Sequence, residues 1–146
     1  MKNSLKYTPA DKYFSWCVRE RAEWTCERCG KIYVPPTVAL QCAHYQTRDC
    51  WGTRLEPLNA FALCHGCHQY FDKGRRVEFD NLHVRVFGSY ARDIVREKAQ
   101  DITIGKTAKR TKGKGEIARH YKSEYERMLE IRAGGVRGRL EFKAFI

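Results

Sequence analysis

The chain has 146 residues, with 28 Lys and Arg against 17 Asp and Glu, a formal charge of +11. That length suits one ordinary domain, and 42% apolar residues with 12% aromatics can bury a modest core, which excludes wholesale disorder. No run approaches the ~20 apolar residues that cross a bilayer, so the excess charge is expected to meet a polyanion, nucleic acid first; a protein that is merely basic is the plainer reading.

The opening MKNSLKYTPADKYF carries no apolar core and no small-residue cleavage site of a secretory leader. With seven cysteines, an odd number, the chain reads as intracellular, and metal binding explains the thiols better than a disulfide framework. Residues 1–8 read as polar and loose. Thr8-Pro9-Ala10-Asp11 is a helix start, with Thr as N-cap, Pro at the first position and an acid three residues on. Tyr13, Phe14, Cys17, Val18 and Arg21 follow at helical spacing, which predicts a helix over 9–23. Pro35-Pro36 breaks regular structure, Thr37 to Ala43 is β-prone, and Asp49 to Thr53 reads as a loop. The run AFAL before Cys64 reads as a short strand, and about two helical turns run from Cys64 to Lys73, ended by Gly74. Val77 to Phe87 is ambiguous, whereas Ser89 to Gln100 reads as a helix with Ser89 as N-cap and Tyr90, Ile94, Val95 and Lys98 on or beside one face.

Residues 105–115, rich in Lys, Arg and Gly with no acid, read as a basic linker. A longer helix follows, with Ile117, Tyr121, Tyr125, Met128 and Leu129 as its apolar stripe, stopped by Gly134-Gly135. The basic, aromatic end of the chain gives no placement. The organisation expected is a core over 1–104 with the linker, helix and tail over 105–146.

Cys26-Glu-Arg-Cys29-Gly30 and Cys64-His-Gly-Cys67 form two CxxC pairs with 34 residues between them. Two such pairs can complete a tetrahedron about one Zn²⁺ with bonds of about 2.3 Å, and Gly30 suits the tight turn of a zinc knuckle. Four thiolates leave no open coordination position, so this zinc is structural. Cys17 then reads as a small core residue, Cys42 equally so, and Cys50 stays open; entry of Cys42 or Cys50 into the zinc shell is the alternative.

Between the pairs lie Ala43-His44-Tyr45 and Glu56-Pro57-Leu58-Asn59, and His68 adjoins Cys67. In this order the motifs resemble the HNH endonucleases, whose fold is a ββα-metal motif with an embedded zinc clasp, and more closely the phage NinG/Rap recombination endonucleases. The likeness spans about residues 10–130, with its specific motifs within 26–68. It implies a small α+β fold, a zinc-clasped ββα-metal core with flanking helices. The activity implied is metal-dependent cutting of branched DNA, such as a Holliday junction, in the cytoplasm of a bacterial host by a phage-encoded enzyme. Paired cuts make a homodimer plausible, with the tyrosine-rich stripe over 117–129 as its interface or simply as core.

The same resemblance assigns roles that suit the chemistry of each residue. Imidazole titrates near neutrality, so His44 can take a proton from the attacking water. Asn59 holds the loop that orients that histidine, and His68 ligates a catalytic Mg²⁺ or Mn²⁺. Many HNH enzymes place a metal-binding aspartate immediately before the general base, where this chain has Ala43; Asp49, Asp72, or water and the substrate phosphate would complete the shell. A histidine ligand tilts the choice of ion toward Mn²⁺. Arg48, Arg54, Lys73, Arg75 and Arg76 flank this centre and are the candidate phosphate contacts, with the 106–114 basic run as a second candidate or a solvated linker. Tyr45 packs in the core or against sugar. His65, His83 and His120 read as ordinary hydrogen-bonding histidines, His65 alternatively as a phosphate contact. Two rival readings share these features: a non-catalytic zinc module that binds DNA, and a nuclease acting on duplex DNA.

Overall fold

The structure is a computed structural model and describes residues 6–111 and 115–145. It is a mixed α+β arrangement of one small sheet and six helices among the described residues. The expectation of a loose start falls largely on residues 1–5, outside them.

Helix α1 spans Pro9–Arg21 and begins as its sequence dictates. The Thr8 hydroxyl accepts from the Asp11 amide at 3.3 Å while the Thr8 amide donates to the Asp11 carboxylate at 2.8 Å, a reciprocal capping box. The helix stops two residues earlier than expected. Glu23 and Trp24 have φ of 52° and 56°, a left-handed pair that turns the chain toward the first cysteine pair. The turn is held by the Trp24 indole, which donates to Glu20 at 2.6 Å.

Strands β1, Leu40–His44, and β2, Ala60–Cys64, are antiparallel, with Leu40 opposite Cys64, Gln41 opposite Leu63 and His44 opposite Ala60. The β-prone run therefore contributes only its second half to the sheet. A 3-10 turn over Pro57–Asn59 leads into β2, and helix α2, His65–Asp72, leaves it directly. Gly74, φ 83°, follows α2 and reverses the chain.

The ambiguous stretch is helical: α3 spans Arg76–Phe87. Its buried side carries Phe79, Leu82 and His83, with Val86 and Phe87 packed beside them, a helical recurrence that lines the aromatics against Phe61 of β2. Helix α4 spans Ser89–Gln100, but its N-cap is Gly88 at φ 87°, and Ser89 is its first helical residue. Residues 105–111 are not a linker. They belong to helix α5, Ile102–Thr111, whose start is capped by Asp101 accepting from the Ile104 amide at 2.9 Å. Residues 112–114 of the expected linker lie outside the described residues. Gly52 is required where the loop after β1 crosses the end of α4, since a Cβ there would meet the Lys98 carbonyl oxygen at 2.2 Å.

Helix α6, Glu116–Ala133, packs lengthwise on α1. Ile117, Tyr121 and Met128 are buried among Phe14, Cys17 and Val18, and Tyr125 stacks edge-on to Trp16. Leu129 is left exposed, so the stripe is mainly core. The tail follows as an extended strap. The Leu140 amide donates to the Arg21 carbonyl at 3.1 Å, Phe142 packs against Phe14 and Tyr121, and the Phe145 amide donates to the Tyr121 hydroxyl at 3.2 Å. Residues 116–145 thus share the core of α1. None of the helices is long and apolar enough to cross a membrane, among the described residues.

Candidate functional site

The two cysteine pairs meet. The Sγ atoms of Cys26, Cys29, Cys64 and Cys67 all lie within 4.8 Å of one another, and Cys29 and Cys64 are 3.8 Å apart. A tetrahedron with bonds of about 2.3 Å has edges of about 3.8 Å, so the cluster has the size of a four-thiolate zinc site. The first pair sits on a knuckle. The Cys26 amide donates to Lys31, the Gly30 amide donates to Cys26, Gly30 takes φ 79°, and a Thr25–Ile32 bridge closes the base. The second pair sits at the start of α2, where Cys64 accepts from the Cys67 amide at 3.4 Å. Arg28 adds a donor to Cys67 at 3.3 Å.

The thiols fit a cation electrostatically. At Cys64 burial opposes ionisation, yet hydrogen bonds from Cys67 and neighbouring thiols hold its pKa down to about 7. Cys67 is pushed up to about 12, by burial first and then by its cysteine neighbours. Full ionisation of the four therefore needs a positive ion among them. Cys17 is buried in the core, Cys42 lines a groove with its thiol pushed up to about 12 by burial, and Cys50 faces the Ala99 carbonyl; none joins the cluster.

Beyond the clasp, a groove of about 500 Å³ runs between α1, β1 and α2. His44, His68, Arg48 and Asp72 all line it. His44 Nε2 lies 2.9 Å from the Arg54 carbonyl oxygen, which can only accept, so Nε2 carries the proton and Nδ1 the lone pair. Burial lowers the His44 pKa to about 4, against the raising effects of the Arg54 carbonyl and the Asp11 carboxylate. The ring is therefore neutral at neutral pH.

Asn59 is completely buried and spends its amide on the loop after β1. Its oxygen accepts from the Gln46 amide at 2.7 Å, and its nitrogen donates to the Gln46 and Thr53 carbonyls at 3.0 Å each. Both ends of the segment that delivers the Arg54 carbonyl to His44 are fixed in this way. His68, on the first turns of α2, has Nδ1 2.7 Å from Gln41 Oε1 and Nε2 3.8 Å from Asp72 Oδ2. His65, exposed at the start of α2, has its Nδ1 3.3 Å from the other end of the same amide.

Octahedral ligands with bonds of about 2.1 Å stand about 3.0 Å apart when adjacent and about 4.2 Å when opposite. The 3.8 Å between His68 Nε2 and the exposed Asp72 carboxylate matches neither spacing, so the two could share a divalent ion only after a side-chain rotation. The four cysteines are nonetheless the only group of three or more ligating side chains gathered about a point among the described residues, so such an ion would draw its other ligands from water and substrate.

One expected phosphate contact is corrected. Arg54 is 0% exposed and pairs side-on with the Asp11 carboxylate at 2.7 and 2.9 Å, with the Trp51 ring over its guanidinium. It cannot reach a ligand in this position, and its part is to brace the loop whose carbonyl orients His44. Arg48 lines the groove, Lys73 is exposed just past α2, and Arg75 and Arg76 lie over the faces of Tyr70 and Tyr45. Tyr45 itself is buried and donates to Asp80. His83 is buried and donates to the Leu58 carbonyl at 2.7 Å, and His120 to Lys143 at 2.7 Å, both hydrogen-bonding residues as expected.

Sequence reasoning overlooked Gln41 and the second role of Asp11. Asp11 was visible only as a capping acid, and nothing in the local sequence pairs it with Arg54, 43 residues away. No protein-family profile, curated protein or solved structure matches the chain.

Proposed function

We propose that the chain is a metal-dependent DNA endonuclease of the HNH type, akin to the phage NinG/Rap enzymes, acting on branched recombination intermediates. The observation that carries this reading is the groove in which His44, a neutral imidazole with its lone pair on Nδ1, shares a wall with His68 and Asp72. Water attacking the phosphorus gives its proton to His44 Nδ1 as the new P–O bond forms and the ester oxygen departs. The low basicity of His44 is offset on binding, because a phosphate anion in the groove favours the imidazolium. His68, with Asp72, would hold the Mg²⁺ or Mn²⁺, which would supply charge neutralisation at the phosphate. Asn59 and the Asp11–Arg54 pair keep His44 in place, Arg48 supplies positive charge in the groove, Lys73, Arg75 and Arg76 add basic charge just past α2, and zinc fixes the base of α2. The chain then works as an intracellular protein, as a homodimer if cuts are paired.

Among the described residues no third ligating side chain joins His68 and Asp72, which favours one other reading, a zinc-containing module that binds DNA without cutting. Incubation of the zinc-loaded protein with a four-way junction and a matched linear duplex, under Mg²⁺, Mn²⁺ or EDTA, separates the cases. Junction cleavage that requires metal and is lost in His44→Ala supports the proposal. Duplex cleavage alone moves the substrate to linear DNA, and binding without cutting under any metal establishes the non-catalytic module.

A further inference from the structure

Gln41 faces Leu63 across the sheet, and its side chain reaches α2, where it touches two imidazoles at once. A carboxamide has an accepting end and a donating end, and here each end is committed. Oε1 stands 2.7 Å from His68 Nδ1 and can only accept, so that nitrogen carries the proton. Nε2 stands 3.3 Å from His65 Nδ1 and can only donate, so that nitrogen is bare. A neutral imidazole holds one proton. In that state His68 keeps its lone pair on Nε2, 3.8 Å from the Asp72 carboxylate and too far for a hydrogen bond, while His65 carries its N–H on Nε2.

We infer that Gln41 assigns opposite roles to the two histidines of α2, making His68 a metal ligand through Nε2 and His65 a hydrogen-bond donor to a phosphate oxygen. This rests on the proposed nuclease reading for the identity of both ligands. The spacing of His65 and His68, three residues apart on a helix, puts both on one side of α2. A metal and the phosphate it neutralises are needed side by side, and one amide sets the tautomer for each. A hydrogen bond to the far nitrogen of a ligating histidine also holds its ring and raises its basicity, with losses of 10- to 100-fold in metal affinity when such partners are removed in other sites. Gln41 is thus a positioning residue, which touches neither reactant.

The test uses the full, zinc-loaded chain labelled with ¹⁵N at pH 8. Two-bond ¹⁵N–¹H correlation spectra are expected to show His68 protonated at Nδ1 and His65 at Nε2. His68 protonated at Nε2 in this protein overturns the inference, because the amide would then be turned the other way. Titration with Mn²⁺ alone is expected to give binding at least about tenfold weaker in Gln41→Leu than in the wild type. Gln41→Glu, which keeps the acceptor and removes the donor, is expected to restore Mn²⁺ affinity while His65 shifts its proton to Nδ1. Mn²⁺ affinities within twofold of one another in all three proteins overturn the ligand half. His65→Phe is expected to lower affinity for junction DNA about fivefold with Mn²⁺ binding unchanged, the worth of one hydrogen bond; unchanged DNA affinity overturns the donor half. If Gln41→Leu fails to retain zinc, the wild-type tautomers and the Glu variant decide. None of these readouts requires cleavage, so a protein that shows them and does not cut overturns the nuclease reading and leaves the role of Gln41 standing.

Discussion

Replacing Asp11 by Asn removes one charge and almost no volume, at a point where the structure has little water to compensate. Arg54 and Asp11 are 0% and 4% exposed, and their paired contacts measure 2.7 and 2.9 Å. The variant leaves a guanidinium buried without its anion, and breaking a buried pair from one side costs about 3–5 kcal/mol. The lower end is expected here, because the Asn oxygen still accepts one bond and the Lys6 carbonyl and Trp51 ring remain. A loss of about 3 kcal/mol, with a urea dependence of about 2 kcal/mol per molar for a chain of this size, moves the unfolding midpoint down by about 1.5 M. The zinc-loaded proteins, followed by circular dichroism in urea, give this directly. Asp11→Leu with Arg54→Met is expected to recover much of the loss, since it removes both charges. A midpoint shift under about 0.5 M in Asp11→Asn would refute the reasoning, by showing that Arg54 is solvated in solution. The pair also sets an acid limit. At Asp11 burial works to raise the pKa, but hydrogen bonds from Arg54 and Thr8 outweigh it and the net direction is down. The stabilisation is therefore present above the ordinary carboxylate range and is lost as pH falls below it, through the depressed value.

The other expectations follow from the groove and the clasp. With the His44 pKa lowered by burial to about 4, the acid limb of kcat/KM for junction cutting should fall well below the ordinary imidazole value of about 6.5; a limb at 6.5 or above would assign the proton to another group. The same depression means that the stability tied to neutral His44 is complete above pH about 6.5 and declines as pH falls toward 4. Asn59→Leu leaves the Gln46 amide and the Gln46 and Thr53 carbonyls without their partner, costing about 3 kcal/mol in urea unfolding and reducing cutting more than DNA binding. Cys64→Ser should release zinc, measured by metal analysis, and abolish cooperative unfolding, because metal binding supplies folding free energy of about 10 kcal/mol or more in small zinc units.

Much of the frame was legible because it is written in short-range terms. Thr8, Pro9 and Asp11 define a helix start by local hydrogen bonding, and two CxxC pairs can hardly serve another end than one ion. The apolar stripe of α6 announced a buried face at helical spacing. The misreadings were also local. Cation-rich residues 105–111 looked like a linker, since the Asp101 cap went unnoticed, and α3 was ambiguous because a buried histidine, His83, interrupts its apolar pattern.

The sequence by itself determined which side chains could do chemistry, since imidazoles, thiols and their spacing are fixed by the covalent chain. Only the tertiary structure decided what each of them faces. It buried Arg54 against Asp11, turned the amide of Gln41 between two histidines, and brought a carbonyl to His44 Nε2. Such choices depend on contacts between residues tens of positions apart, where burial and hydrogen-bond geometry set charge, tautomer and access, and no periodicity in the chain records them.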